Sequence, residues 1–112
     1  MDPEAVAEYG RTLSGATQDY PFGPGTLVFK VGGKIFAILG DRSVSLKCDP
    51  GLALVLRENY PAVTPGYHLN KRHWNTVLLD GTVPADELRD WIHDSYALAV
   101  ASLTRAERAA LI

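Results

Sequence analysis

The stretch Leu27-Val-Phe-Lys-Val-Gly-Gly-Lys-Ile-Phe-Ala-Ile-Leu-Gly-Asp-Arg-Ser-Val-Ser-Leu-Lys-Cys-Asp49 decides the fold. It divides into three strands, Leu27 to Val31, Lys34 to Leu39 and Ser43 to Asp49, with Gly32-Gly33 and Gly40-Asp41-Arg42 between them. Two consecutive glycines between apolar runs are a hairpin signal, because the tight turn that matches strand twist needs positive φ at both central residues. In the third strand Val44, Leu46 and Cys48 face one way and Ser43, Ser45 and Lys47 the other, the period of two that marks a strand with one covered face. Leu27, Phe29 and Val31 oppose Val28 and Lys30 in the same manner, while the middle strand is apolar on both sides, as suits the most covered strand of a meander. The sheet is therefore expected to have one core face and one that looks out.

Downstream, Asp49-Pro50 is an N-cap followed by proline at the first helical position, which predicts a helix from Pro50 to Asn59 with Leu52, Val55 and Leu56 inward. Pro61 stops it. A short strand over Ala62 to Thr64, a break at Pro65-Gly66 and a strand from Trp74 to Leu79 follow. A long helix is expected from Pro84, its apolar face made by Leu88, Trp91, Ile92, Tyr96, Ala99 and Leu103. Ser95 falls inside that face and needs a hydrogen-bond partner, most cheaply the carbonyl one turn back. Thr104 with Glu107 has the form of a capping box and predicts a last short helix to Ile112.

Upstream, Asp2-Pro3-Glu4 opens a helix to Leu13, and the segment from Ala16 to Gly25 has the turn chemistry of an ordered loop. Tyr20 and Phe22 are expected to pin that loop to the core. The sum is one α+β domain over residues 1–112, in the order α-β-β-β-α-β-β-α, with helices packed against a five-stranded antiparallel sheet.

The chain has 112 residues, 46% of them hydrophobic and 21% charged, which is the composition and length of one domain able to bury a core. The single cysteine, Cys48, has no partner for an internal disulfide, and no stretch has the form of a signal peptide. The expected location is the cytoplasm. No apolar run approaches the roughly 20 residues that cross a bilayer, so no membrane association is expected. The net charge of −2 argues against nucleic-acid binding, yet its distribution qualifies the argument. Lys30, Lys34, Arg42, Lys47, Arg57, Lys71 and Arg72 make the middle basic, and both ends are acidic. Such segregation would put a positive face on an acidic body.

Tyr67-His-Leu-Asn-Lys-Arg-His-Trp74 is the densest polar and aromatic stretch. Histidines five apart with one distant cysteine match no zinc spacing, and there is no Gly-x-Ser-x-Gly elbow or phosphate-cradling loop. We therefore expect no enzyme, no metal and no cofactor. For His68 two roles stand open. It holds the loop by hydrogen bonds, with Asn70 turning the chain and Lys71 free in solvent, or it joins Lys71 and Lys47 in an anion pocket. The second role requires the three side chains to converge on one depression.

Lys34-Ile-Phe-Ala-Ile-Leu39, Leu46-Lys-Cys-Asp-Pro50, Tyr60-Pro61, the block Pro65-Gly-Tyr-His-Leu-Asn-Lys-Arg-His-Trp74 and Ser95-Tyr96 together resemble the MmcQ/YjbR family of small bacterial proteins. The resemblance runs from Pro21 to Leu103, and the Tyr-His-Leu-Asn-Lys-x-x-Trp block is its most specific part. It implies helices against an antiparallel sheet, in a fold similar to type III secretion chaperones and to frataxin-like (CyaY-like) proteins. It also implies a double-wing DNA-binding motif. On that reading Lys30, Lys34, Lys47, His68, Lys71, Arg72 and Trp74 are the candidate nucleic-acid or anion-binding residues. The alternative is a chaperone-like or dimerising protein-interaction module with Trp74 and Trp91 as anchors. The partner would be DNA or a protein, and the chain a monomer or weak homodimer.

Overall fold

Gly32 and Gly33 take positive φ, 56° and 80°, and turn strand β2 (Leu27–Val31) back into β3 (Lys34–Leu39). Besides its dihedral, Gly32 has no room for a side chain: a Cβ there would lie 2.7 Å from Leu103. A second turn, closed by the Gly40 N–H on the Ser43 carbonyl at 2.9 Å, leads into β4 (Ser43–Lys47). This meander is the centre of a computed structural model that describes residues 1–111, so the predicted extension of the last helix to Ile112 lies outside the described residues. Around it stand α1 (Pro3–Thr12), β1 (Ala16–Asp19), α2 (Pro50–Asn59), β5 (Val63–Pro65), β6 (Trp74–Leu78), α3 (Ala85–Ala101) and α4 (Arg105–Ala109).

The sheet has six strands in the order β1-β2-β3-β4-β6-β5, all antiparallel. This corrects the expected five. The extra strand is β1, Ala-Thr-Gln-Asp, which carries no apolar alternation because it is an exposed edge. It pairs with β2 from Ala16↔Val31 to Asp19↔Val28, completing the free edge that the meander leaves. Such pairing needs only backbone donors and acceptors, so nothing in these side chains announces it.

Helices cover one face only. Val6 and Ala7 of α1 and Leu88, Ile92 and Ala99 of α3 pack with Leu27, Phe29, Val31, Ala37, Leu39, Val44, Leu46, Val63 and Val77. The caps read from sequence are present: Asp2 accepts from the Ala5 N–H, Asp49 from the Gly51 and Leu52 N–H groups, and Thr104 with Glu107 forms a full capping box. On α2 the inward residues are Ala53, fully buried, and Leu56. Leu52 and Val55 were expected inward and are exposed. The helix sits at the end of the sheet over β5 and β6, where a small side chain allows close approach and one narrow stripe suffices.

Ser95 solves a problem that the sequence does not reveal. Between β2 and β3 the register steps from Phe29↔Ala37 to Lys30↔Ile35, so Phe36 is an extra, unpaired residue. Such a bulge bends the strand, and the β3–β4 ladder runs only over Ala37↔Leu46 to Leu39↔Val44. The Ser95 hydroxyl donates to the Phe36 carbonyl at 2.6 Å and accepts from the Lys47 N–H at 2.9 Å. It therefore bridges two strands where their own ladder stops, rather than bonding one turn back along α3. The bulge also turns Phe36 into the core, against Phe29 and edge-on to Tyr96.

Candidate functional site

The helix-free face follows from the alternation of the strands. Val28 and Lys30 of β2, Ile38 of β3, Ser43, Ser45 and Lys47 of β4, and Trp74, Thr76 and Leu78 of β6 point away from the core partners on the same strands. Two loops border it. The β1–β2 loop contributes Phe22 and Thr26, and the β5–β6 loop contributes Tyr67, His68 and Leu69. Between them lies a cleft of about 390 Å³ with Ile38, Ser43, Ser45 and Thr76 as its floor. That is the size of ordinary small-molecule clefts, about 300–1,000 Å³.

Its aromatic walls are free. Phe22 is 65% exposed and Tyr67 71%. Tyr20 and Phe22 do not pin their loop to the core as expected, since Tyr20 is more than half exposed as well. On the floor the Ser45 and Thr76 hydroxyls bond each other at 2.8 Å, and the Tyr67 N–H donates to Thr76 Oγ1 at 2.9 Å. Thr76 thus anchors the wall residue to the floor.

The β5–β6 loop is built by three devices. Gly66 is buried against Trp74, where a Cβ would come within 2.7 Å of the Trp74 Cβ, and its N–H bonds the Trp74 carbonyl at 2.9 Å. The carboxamide oxygen of Asn70 accepts from the Arg72 N–H at 2.9 Å and the His73 N–H at 3.3 Å, so Asn70 does turn the chain. Arg57 of α2 reaches across: its Nε donates to Asn75 Oδ1 at 2.7 Å, and its terminal nitrogen bonds the carbonyls of Lys71 and Trp74. Asn75, buried, donates in turn to the Ala53 carbonyl at 3.3 Å. Sequence reasoning missed Arg57, because its partners lie 14 to 18 residues away.

His68 is the one residue other than glycine with positive φ among the described residues, at 56°. In that left-handed region a Cβ crowds the next carbonyl, at about 1–2 kcal/mol. The ring lies 4.0 Å from that of Tyr67. Strain of this kind persists where the surroundings over-determine it, and functional sites are a frequent setting.

The remaining predicted site residues are distributed. Lys30 pairs with Asp19 across β1 and β2 at 3.5 Å. Lys34 follows the Gly32-Gly33 turn, exposed, and its charge helps hold the Glu107 carboxyl below its usual range, after the backbone and side-chain bonds of Thr104. Lys47 ends β4 opposite Trp74, which is half-buried. Lys71 turns its Nζ onto the Gly66 carbonyl at 2.9 Å, so it is not the free cation expected. Arg72 lies beside Pro50, Gly51, Leu54 and Arg57 of α2. Of His68, Lys71 and Lys47, only His68 lines the cleft.

Behind the sheet, Cys48 is half-buried beside Trp91 and Asp94. Burial raises its thiol pKa, and the Asp49 and Asp94 carboxylates raise it further against the opposing influence of Arg57. Tyr60 packs edge-on to Trp91 and donates to Glu87, a bond that raises the phenol's pKa. Among the described residues no three His, Cys, Asp or Glu side chains are placed to hold a metal, and no helix is long and apolar enough to cross a membrane.

An antiparallel sheet covered by helices on one face, with a loop-walled cleft on the other, defines an open-faced α+β protein. Comparison with known proteins narrows this: the pattern of the YjbR family matches residues 11–98, and the chain belongs to that family. It is 40% identical to the uncharacterised protein YbdF of Escherichia coli O157:H7 over 93 residues, covering 80% of this chain and 76% of that one. The uncharacterised protein YjbR of Escherichia coli is 43% identical over 70 residues, which are 62% of this chain and 59% of that one. Among solved structures, Deinococcus radiodurans protein DR2400, with a DUF419 domain, superposes with a TM-score of 0.90 at 39% identity, covering 96% of this chain and 86% of that one. A Pseudomonas syringae protein superposes with a TM-score of 0.78 at 31% identity, covering 88% and 99%.

Proposed function

We propose that the chain is a cytoplasmic binding module, not an enzyme, that takes single-stranded nucleic acid on its helix-free face. The observation that carries this is the cleft whose walls, Phe22 on one side and Tyr67 with His68 on the other, are exposed rings on a face that also bears Lys30 and Lys47. Every base has a face to stack, and stacking on an exposed ring is worth about 1–3 kcal/mol per base. Charge supports the same side. Asp86, Glu87, Asp90 and Asp94 ride on α3 and Glu4 and Glu8 on α1, behind the sheet, whereas the open face carries Lys47 and the pair Lys30 with Asp19, so a phosphate chain approaching it meets Lys47 as the uncompensated charge. Double-stranded DNA fits less well, because the cations do not form one continuous track and the rings need unstacked bases.

The test is a fluorescence-anisotropy titration with an oligothymidine of about fifteen nucleotides, the length that one sheet-surface module spans at most. Binding is expected at low salt and falls linearly in log–log form as salt rises. Tyr67→Ala weakens it about tenfold, one stacked base. Absence of binding at low salt, or binding insensitive to salt and to Tyr67→Ala, overturns the reading. A second reading, association with protein, is favoured by a different surface, the outer side of α2.

A further inference from the structure

The large apolar side chains left exposed among the described residues fall into two groups. Tyr20, Phe22, Tyr67 and Leu78 belong to the helix-free face and its loops, whereas Leu52, Leu54, Val55 and Leu98 belong to α2 and α3. At roughly 100° per residue, Leu52 and Leu54 lie about 160° apart round α2 with Val55 between them. On the Leu52 side the surface continues into Ala97 and Leu98 and is edged by Asp49 and Asp94. On the Leu54 side it is edged by Arg57 and Arg72. A largely aliphatic centre, interrupted by Glu58 between Leu54 and Val55, is thus flanked by acid on one side and base on the other.

These charges are not neutralised within the chain. Asp49 accepts only backbone N–H groups, and Arg57 bonds an amide and two carbonyls. Among the described residues the one ion pair is Lys30 with Asp19. A surface of this kind is complementary to itself. A two-fold axis running along α2 lays the helices of two copies side by side and sets the acidic flank of each on the basic flank of the other, with Val55 and the leucines between. An acidic or a basic partner would match one flank and be repelled by the other. We infer that the outer side of α2, with the adjoining part of α3, is a homodimer interface, and that a second copy of this chain is the partner it fits. Glu58, which falls between Leu54 and Val55 round the helix, is the group that opposes the pairing.

Sedimentation velocity from micromolar to millimolar concentration tests this. A concentration-dependent dimer is expected, weakened by salt and abolished by Val55→Asp. Arg72→Glu and Asp94→Arg each weaken it about tenfold, because each sets like charges across both symmetry-related contacts, and the double variant regains it. Glu58→Lys tightens it. All four positions are solvent-facing, so circular dichroism and thermal melting serve as folding controls, with Val55→Ser in reserve if the aspartate disturbs α2. A chain that stays monomeric throughout, a dimer that survives Val55→Asp, or a double variant no stronger than the single ones overturns the proposal.

Discussion

The two faces of the sheet use polar groups differently. On the covered face Ser95 and Asn75 are buried, and each joins separate pieces of the fold: β3, β4 and α3 in one case, α2 and β6 in the other. On the open face Ser45 and Thr76 bond each other, Thr76 also accepts from the Tyr67 N–H, and the rings above them touch little. A buried hydrogen bond is most costly when one partner is removed, whereas an exposed ring contributes little to folding. Stability is therefore concentrated behind the sheet, and the exposed rings proposed to bind stand in front of it.

The comparison breaks first at Ser95. Ser95→Ala orphans the Phe36 carbonyl and the Lys47 N–H together, and at about 1–3 kcal/mol per buried group the loss is roughly 2–6 kcal/mol, read by urea denaturation. Arg57→Ala comes next. It frees the Lys71 carbonyl and leaves Asn75 half satisfied, while the Trp74 carbonyl keeps the Gly66 N–H, so about 2 kcal/mol of stability is lost. It also loosens the loop that carries Tyr67, so affinity for oligothymidine falls with stability, which links the two faces. Phe22→Ala separates them: the melting transition moves by no more than about 0.5 kcal/mol, while affinity falls about tenfold.

His68→Gly sharpens the contrast in the opposite direction. Relief of the left-handed strain, set against glycine's greater freedom in the unfolded chain, leaves a gain of about 0.5–1 kcal/mol. Binding weakens because the ring is gone. A variant both more stable and a poorer binder is the outcome expected from strain held at a site. The smallest effect lies away from both faces. The Thr104 backbone N–H, then its hydroxyl, holds the Glu107 carboxyl below the usual range. Its contribution is fully present above the ordinary glutamate pKa and is lost as pH falls through the lower, folded value. Amide exchange in α4 should therefore quicken in acid before the sheet responds.

Much of the fold was legible in local signals. Gly32-Gly33, Asp49-Pro50, Pro61 and the pair Thr104 and Glu107 each act within a few residues, and each turn or cap stands where expected. The alternation of Ser43 to Lys47 assigned its two faces for the same reason. The candidate site was less legible. His68 and Trp74 lie in or beside the β5–β6 loop as expected, but Lys71 turns inward to Gly66, and Arg72 faces α2. A lysine or arginine reaches several ångströms on rotatable bonds, so the nearest free carbonyl decides where its charge rests.

The sequence by itself determined the meander, the helix caps, the family and one covered face, because period, turn chemistry and capping act through neighbouring residues. Only the tertiary structure decided that Ala16–Asp19 is a strand, that Phe36 is a bulge held by Ser95, that Arg57 organises a loop far along the chain, and that Phe22 and Tyr67 face one another across a cleft. Each depends on an edge, a gap or an unpaired carbonyl that does not exist until distant segments have met.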